Sequence, residues 1–130
     1  MSFWKHAQED PGYIAVIDPD GTEHAAGDVL ARANQVVHAL RSLGMRKGDA
    51  VAAVLPNGSN PFHLYLAALQ AGFYYVPINY RLSPVEIAYI INDSEAKVLV
   101  SHERYAETIA AAADEAGVPA EARLAHGTVP

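Results

Sequence analysis

Apolar and polar positions change period several times along the chain, and each change marks an expected element. Tyr13 to Ile17 (YIAVI) is β-rich, and Asp18-Pro19-Asp20-Gly21 supplies turn chemistry. Pro fixes φ there and Gly accepts a positive φ, so a short hairpin is expected over 13–24. From Gly27 to Leu43, Val29, Ala33, Val36, Leu40 and Leu43 share one face, with Leu30 and Val37 alongside. That spacing predicts an amphipathic helix, ended by Gly44. Ala50 to Leu55 (AVAAVL) is continuously apolar, as in a parallel strand covered on both faces. Pro56-Asn57-Gly58-Ser59-Asn60 reads as a turn. Pro61 to Ala71 is apolar at almost every position, which predicts a helix buried between layers and closed by Gly72.

Phe73 to Ile78 (FYYVPI) is aromatic and β-branched, so it reads as a strand whose ladder stops at Pro77. Ser83-Pro84-Val85-Glu86 combines a Ser N-cap, a Pro at the first helical position and a returning Glu. This is a capping box, and helix is expected to about Asn92. Lys97 to Val100 (KVLV) reads as a further strand. Ser101 is expected to cap a last helix through Ala116, terminated by Gly117 and Pro119. Residues 118–130 are weakly patterned. Strand and helix alternate over the βα units 27–117, which predicts an α/β fold with a mostly parallel sheet and helices on both faces. The expected central strands are Ala50–Leu55 and Tyr74–Pro77, joined by Lys97–Val100. Leu69 is expected in the packed core, where truncation to Ala costs about 2–5 kcal/mol.

Composition narrows the function classes. The 130 residues suit one domain, and 51% hydrophobic with 18% charged residues is a globular balance. No apolar run is long enough to cross a bilayer, so a soluble domain is expected. A net charge of −6 with nine scattered Lys and Arg residues provides no basic field for nucleic acid. The absence of cysteine removes disulfides and thiolate metal sites. Met1-Ser2-Phe3-Trp4-Lys5 lacks the regions of a signal peptide, so a cytoplasmic location is expected.

Few residues qualify as chemistry. Gly44-Met45-Arg46-Lys47-Gly48 lacks the Walker spacing and reads as a helix stop with a charged turn. Asn57-Gly58-Ser59 is better placed, after a parallel strand, but reads as a connector. The histidines His6, His24, His38, His63, His102 and His126 never fall at a metal-ligand spacing, and no acid completes a triad with them at short range. They read as solvated or locally bonded. The adjacent pairs Glu9-Asp10 and Asp114-Glu115 diverge on a helix or strand, so no catalytic residue and no metal ligand is nominated. Asn79-Tyr80-Arg81 is the site candidate, because it follows a strand and precedes a capped helix at the sheet's carboxyl edge. Arg81 offers a planar fork for phosphate and Tyr80 a stacking face; a turn with an exposed Arg over a helix N-terminus is the alternative.

Four segments in order, Ala25-Ala26-Gly27-Asp28-Val29, Leu43 to Asp49, Leu69 to Pro77 and Asn79 to Leu82, resemble motifs of the AMP-forming adenylating enzymes. Those motifs are a Thr/Ser-Tyr-x-Glu-Leu opening, a Leu-Gly-x-x-x-Gly-Asp turn, a Leu-x-Ala-Gly-x-x-x-x-Pro strand and an Asn/Asp-x-Arg-Leu loop. AGFYYVPINYRLSP is similar to the fatty- or aryl-acid ligases of the acyl-CoA synthetase branch. The resemblance implies that residues 1–130 form the N-terminal subdomain of the adenylating-enzyme fold. For an intact enzyme it implies attack of a carboxylate on the α-phosphate of ATP with Mg²⁺, then thioester formation with CoA. It implies that Asn79, Tyr80 and Arg81 rim the CoA nucleotide. The family's Gly-rich phosphate loop and catalytic Lys have no counterpart here, so this stretch alone is expected to be inactive, to hold no cofactor tightly and to self-associate through uncovered apolar surface. A non-catalytic scaffold or partner-binding fragment of the same fold is the alternative. Ala25 and Ala26 depart from the family's Thr/Ser-Tyr, a lost cap worth about 1 kcal/mol.

Overall fold

The computed structural model describes residues 2–126. In chain order the elements are α1 (Phe3–Glu9), β1 (Ile14–Ile17), β2 (Glu23–Ala25), α2 (Ala26–Ser42), β3 (Ala50–Val54), α3 (Ser59–Ala71), β4 (Tyr74–Pro77), α4 (Pro84–Asp93), β5 (Ala96–His102), α5 (Ala106–Ala116) and β6 (Arg123–His126). Two 3₁₀ turns, Glu103–Tyr105 and Ala120–Ala122, precede α5 and β6. β1 and β2 form an antiparallel pair; the other four strands form one parallel sheet in the order β4-β3-β5-β6.

β3 explains the layering. All five of its residues are buried, and successive side chains alternate between faces. Ala52 and Val54, with Leu99 of β5, join Ile87 and Ile91 of α4 and Ile109, Ala112 and Ala113 of α5. Val51 and Ala53, with Val98, join Leu40 of α2 and Leu64 and Ala68 of α3. The sheet is therefore covered by a helix pair on each face, which requires the continuous apolar run.

Helix ends follow local chemistry. Ser83 Oγ accepts from Glu86 N–H at 3.3 Å while Glu86 Oε1 accepts from Ser83 N–H at 3.1 Å, the expected capping box. The N-cap of α2 is Ala25, with no side-chain cap. Its first amides are satisfied otherwise: Ala26 N–H donates to Tyr13 O at 2.8 Å and Gly27 N–H to Pro11 O at 2.9 Å. Gly27 permits that approach, since a Cβ there would stand 2.9 Å from Pro11 Cβ. α3 ends at Gly72 in the left-handed region, φ 75°.

Several expectations are corrected. Tyr74–Pro77 is an edge strand beside β3, and β5 takes the second central place; neighbour order depends on crossovers that periodicity does not encode. Leu69 is 62% exposed. α3 turns Leu64, Ala67 and Ala68 inward, and small alanines let α2 and the sheet approach, which rotates Phe62, Tyr65 and Leu69 outward. The helix is thus covered on one side only, and it begins at Ser59. Ser101 does not cap a helix: it is buried in β5, paired with Val54 and Ala125. The 3₁₀ turn is capped instead by His102, whose Nδ1 accepts from Arg104 N–H at 3.0 Å. Within the segment 118–130, Arg123–His126 pairs in parallel with β5, while residues 127–130 lie outside the described residues, as does Met1. α1 had no sequence expectation.

Candidate functional site

The carboxyl edge of the sheet is where this topology opens. The chain passes from β3 to β4 on one side, then returns across β3 to β5. Loops leaving β3 and β5 consequently part toward opposite faces, which is where open α/β sheets bind ligands. On the α2/α3 face lies a cavity of about 1050 Å³ lined by His24, Asp28, Arg32, Ser59, Val100 and Leu124, among others.

On the α4/α5 face stands the Asn79–Arg81 loop. Asn79 Oδ1 accepts from Arg81 N–H at 2.9 Å, and Leu82 N–H donates to Asn79 O at 3.2 Å, so Asn79 sets the turn. Arg81 Nε donates to Tyr80 Oη at 3.4 Å, with its Cζ 5.6 Å from the Tyr80 ring centroid. The Tyr80 hydroxyl raises the Arg81 pKa above its ordinary value. Among the described residues no carboxylate forms an ion pair with Arg81. Tyr80 in turn stacks on Tyr105, centroids 4.9 Å apart and planes 7° from parallel. His102 stands 6.4 Å from the Tyr105 ring. The sequence pointed to the first three residues and missed Tyr105 and His102; the available signal was an aromatic one turn past the β5 strand.

A second polar group borders the cavity. His24 Nε2 lies 2.6 Å from Asp18 Oδ2, and Asp18 Oδ1 accepts from Ser59 N–H at 2.7 Å. The His24 and His63 rings meet edge to face at 6.5 Å. The Asp18 carboxyl is held below its ordinary value, chiefly by the His24 hydrogen bond and also by the Ser59 amide, against partial desolvation. His24 is therefore locally bonded, across the hairpin turn rather than to a sequence neighbour. Ser59 contributes its backbone amide to Asp18, so the contact pins the hairpin to the start of α3 and is not a nucleophile triad.

The AMP-binding enzyme family matches residues 3–129. The chain belongs to that family. It is similar to a feruloyl-CoA synthase from an Amycolatopsis species, 37% identical over 93 residues that make up 72% of this chain and 19% of that protein. It is also similar to the long-chain-fatty-acid–CoA ligase FadD13 of Mycobacterium tuberculosis, 37% identical over 97 residues, 74% of this chain and 19% of the relative. Among solved structures, the N-terminal domain of FACL13 from Mycobacterium tuberculosis superposes with a TM-score of 0.85 at 29% identity, covering 95% of this chain and 32% of that one. The chain thus spans about a fifth of the length of these curated relatives and matches the N-terminal part of acyl-CoA ligases.

Membership in the AMP-binding family makes nucleotide and divalent metal the groups to test against this chain. Among the described residues no three His, Cys, Asp or Glu side chains converge, and no Gly-rich strand-to-helix turn offers the row of amides that cradles phosphates. The described residues do not fit Mg²⁺ or the ATP phosphates. Arg81 does fit a phosphate: it is a planar donor with no carboxylate partner among the described residues, set against an aromatic ring. Among the described residues no helix is long and apolar enough to cross a membrane.

Proposed function

We propose that this chain is the N-terminal segment of an AMP-forming acid–thiol ligase. Such an enzyme activates a fatty or aryl carboxylic acid with ATP and Mg²⁺ and transfers the acyl group to CoA. The carrying observation is the family match over residues 3–129, supported by relatives that are CoA ligases. Within this segment Arg81 binds a phosphate of the CoA nucleotide, Tyr80 orients that guanidinium, and Asn79 holds the turn. ATP and Mg²⁺ are held by residues elsewhere in the enzyme, and the segment works in the cytoplasm.

Two measurements test this reading. The purified 130-residue chain should show neither ATP–pyrophosphate exchange nor thioester formation, because preorganised charge stabilisation supplies most of the rate in such transfers. Turnover above buffer overturns that part. In the intact ligase, Arg81→Ala should raise KM for CoA while leaving ATP–pyrophosphate exchange unchanged; an unchanged KM for CoA overturns the placement of Arg81.

A second reading, a non-catalytic scaffold of the same fold that binds a partner, is favoured by the outward row Phe62, Tyr65 and Leu69 on α3. A reading frame that stops after Pro130 would support it, and one continuing into a Gly-rich, Lys-containing loop would exclude it.

A further inference from the structure

We propose that Tyr105 is the positioning residue for Arg81, acting through Tyr80. Its importance for ligand rests on the placement of Arg81 at the CoA nucleotide given above; its structural action does not. A long guanidinium side chain at an exposed turn samples many rotamers, and ordering it opposes binding. Here the Nε–H meets the Tyr80 hydroxyl at 3.4 Å, a contact that orders Arg81 only if the Tyr80 ring itself is held.

Tyr80 is 43% exposed and meets the Arg81 side chain of its own loop, which is exposed too and so does not fix the ring. The flat stack on Tyr105, 4.9 Å and 7° from parallel, does. Tyr105 is half-buried against the α4/α5 core cluster and ends the 3₁₀ turn that His102 caps directly after the central strand β5. The order of support runs from β5 to His102, Tyr105, Tyr80 and Arg81, linking loops that leave two different strands. Neither loop alone supplies it.

The test reads Arg81 directly, in the ¹⁵N-labelled chain without ligand. In the wild type the Arg81 Nε–H resonance should be dispersed, and the Tyr80 ring protons shifted by the ring current of Tyr105. Tyr105→Leu keeps apolar bulk but no aromatic face, so both signals should collapse to mobile averages, while Tyr105→Phe should keep them. If the Val51 and Val98 amides show that Tyr105→Leu has unfolded, Tyr80→Phe is read instead: it should preserve the ring shift yet release Arg81 Nε–H. An Arg81 signal that persists in a folded Tyr105→Leu variant, or in Tyr80→Phe, overturns the proposal, as does its loss in Tyr105→Phe. Tyr105→Leu in the intact ligase should also raise KM for CoA about 3- to 10-fold. Collapse of the Arg81 signal with an unchanged KM for CoA would leave Tyr105 as the positioner and refute the CoA placement instead.

Discussion

Asp18 Oδ1 accepts a 2.7 Å hydrogen bond from the backbone N–H of Ser59, 41 positions along the chain, while its other oxygen meets His24 at 2.6 Å. One carboxylate thereby ties the β1–β2 hairpin to the first residue of α3. Its pKa is depressed in the folded chain, so between the folded value and the ordinary value near ~3.9 the unfolded chain binds more protons. The stabilisation is complete above that ordinary value and is lost as pH falls through the folded one.

Thermal melts between pH 7 and pH 3 should therefore show wild type losing stability below about pH 4. Asp20, Asp49 and Glu86 are depressed too and contribute to that loss. The share of Asp18 is the difference from Asp18→Asn, which should be less stable at pH 7 and should fall less steeply on acidification. Parallel curves for the two proteins would show that Asp18 does not contribute to the acid loss.

Core and surface truncations should separate clearly. Ile87 of α4 is fully buried against α5 and the sheet, whereas Leu69 is 62% exposed. Ile87→Ala should cost about 2–5 kcal/mol in denaturant melts, and Leu69→Ala less than about 1 kcal/mol. A larger loss for Leu69 than for Ile87 would contradict the rotation of α3 that turns Leu64, Ala67 and Ala68 inward.

The capping box makes a local prediction. Ser83→Ala leaves the Glu86 amide without its acceptor, and should cost about 1 kcal/mol, within the range 0.5–2. Equal stability of wild type and variant in urea titrations would show that water replaces the cap.

Two C-capping glycines differ in what surrounds them. Gly72 and Gly117 have φ near 75°, but a Cβ on Gly72 would stand 2.8 Å from Lys47 Cγ, while nothing lies within 4 Å at Gly117. Gly117→Ala should cost about 1–2 kcal/mol from the backbone alone, and Gly72→Ala more, because Lys47 must also move. The ranking is checked by paired denaturant melts.

Phe62, Tyr65 and Leu69 are exposed along one side of α3, and β4 and β6 end the four-stranded sheet among the described strands. Exposed apolar rows and free strand edges favour contact between copies. Light scattering at micromolar concentration should show dimers or larger species, reduced by Leu69→Glu; a strictly monomeric wild type would refute this.

What was legible in the sequence was local. The unbroken AVAAVL run required a strand covered on both faces, and it is β3. Ser83-Pro84-Val85-Glu86 carried its own hydrogen-bonding partners within one turn, so α4 began where expected. The loop Asn79–Arg81 could be placed after a strand, because Pro77 ends the ladder and Asn79 builds its own turn.

Tertiary structure decided the rest, because those outcomes depend on partners far along the chain. An all-round apolar helix has no preferred face, so the side that Leu69 occupies was chosen by where α2 and the sheet meet Leu64, Ala67 and Ala68. RLAH has too little pattern to specify a strand, and Arg123–His126 becomes one by pairing with Leu99–His102 of β5. Tyr80 and Tyr105 lie on loops from β4 and β5, and Asp18 and Ser59 on separate elements. Short-range periodicity fixes the kind of element a segment can form. Only packing brings such distant groups into contact, since the free energy that holds them together is shared by the whole core rather than contained in either segment.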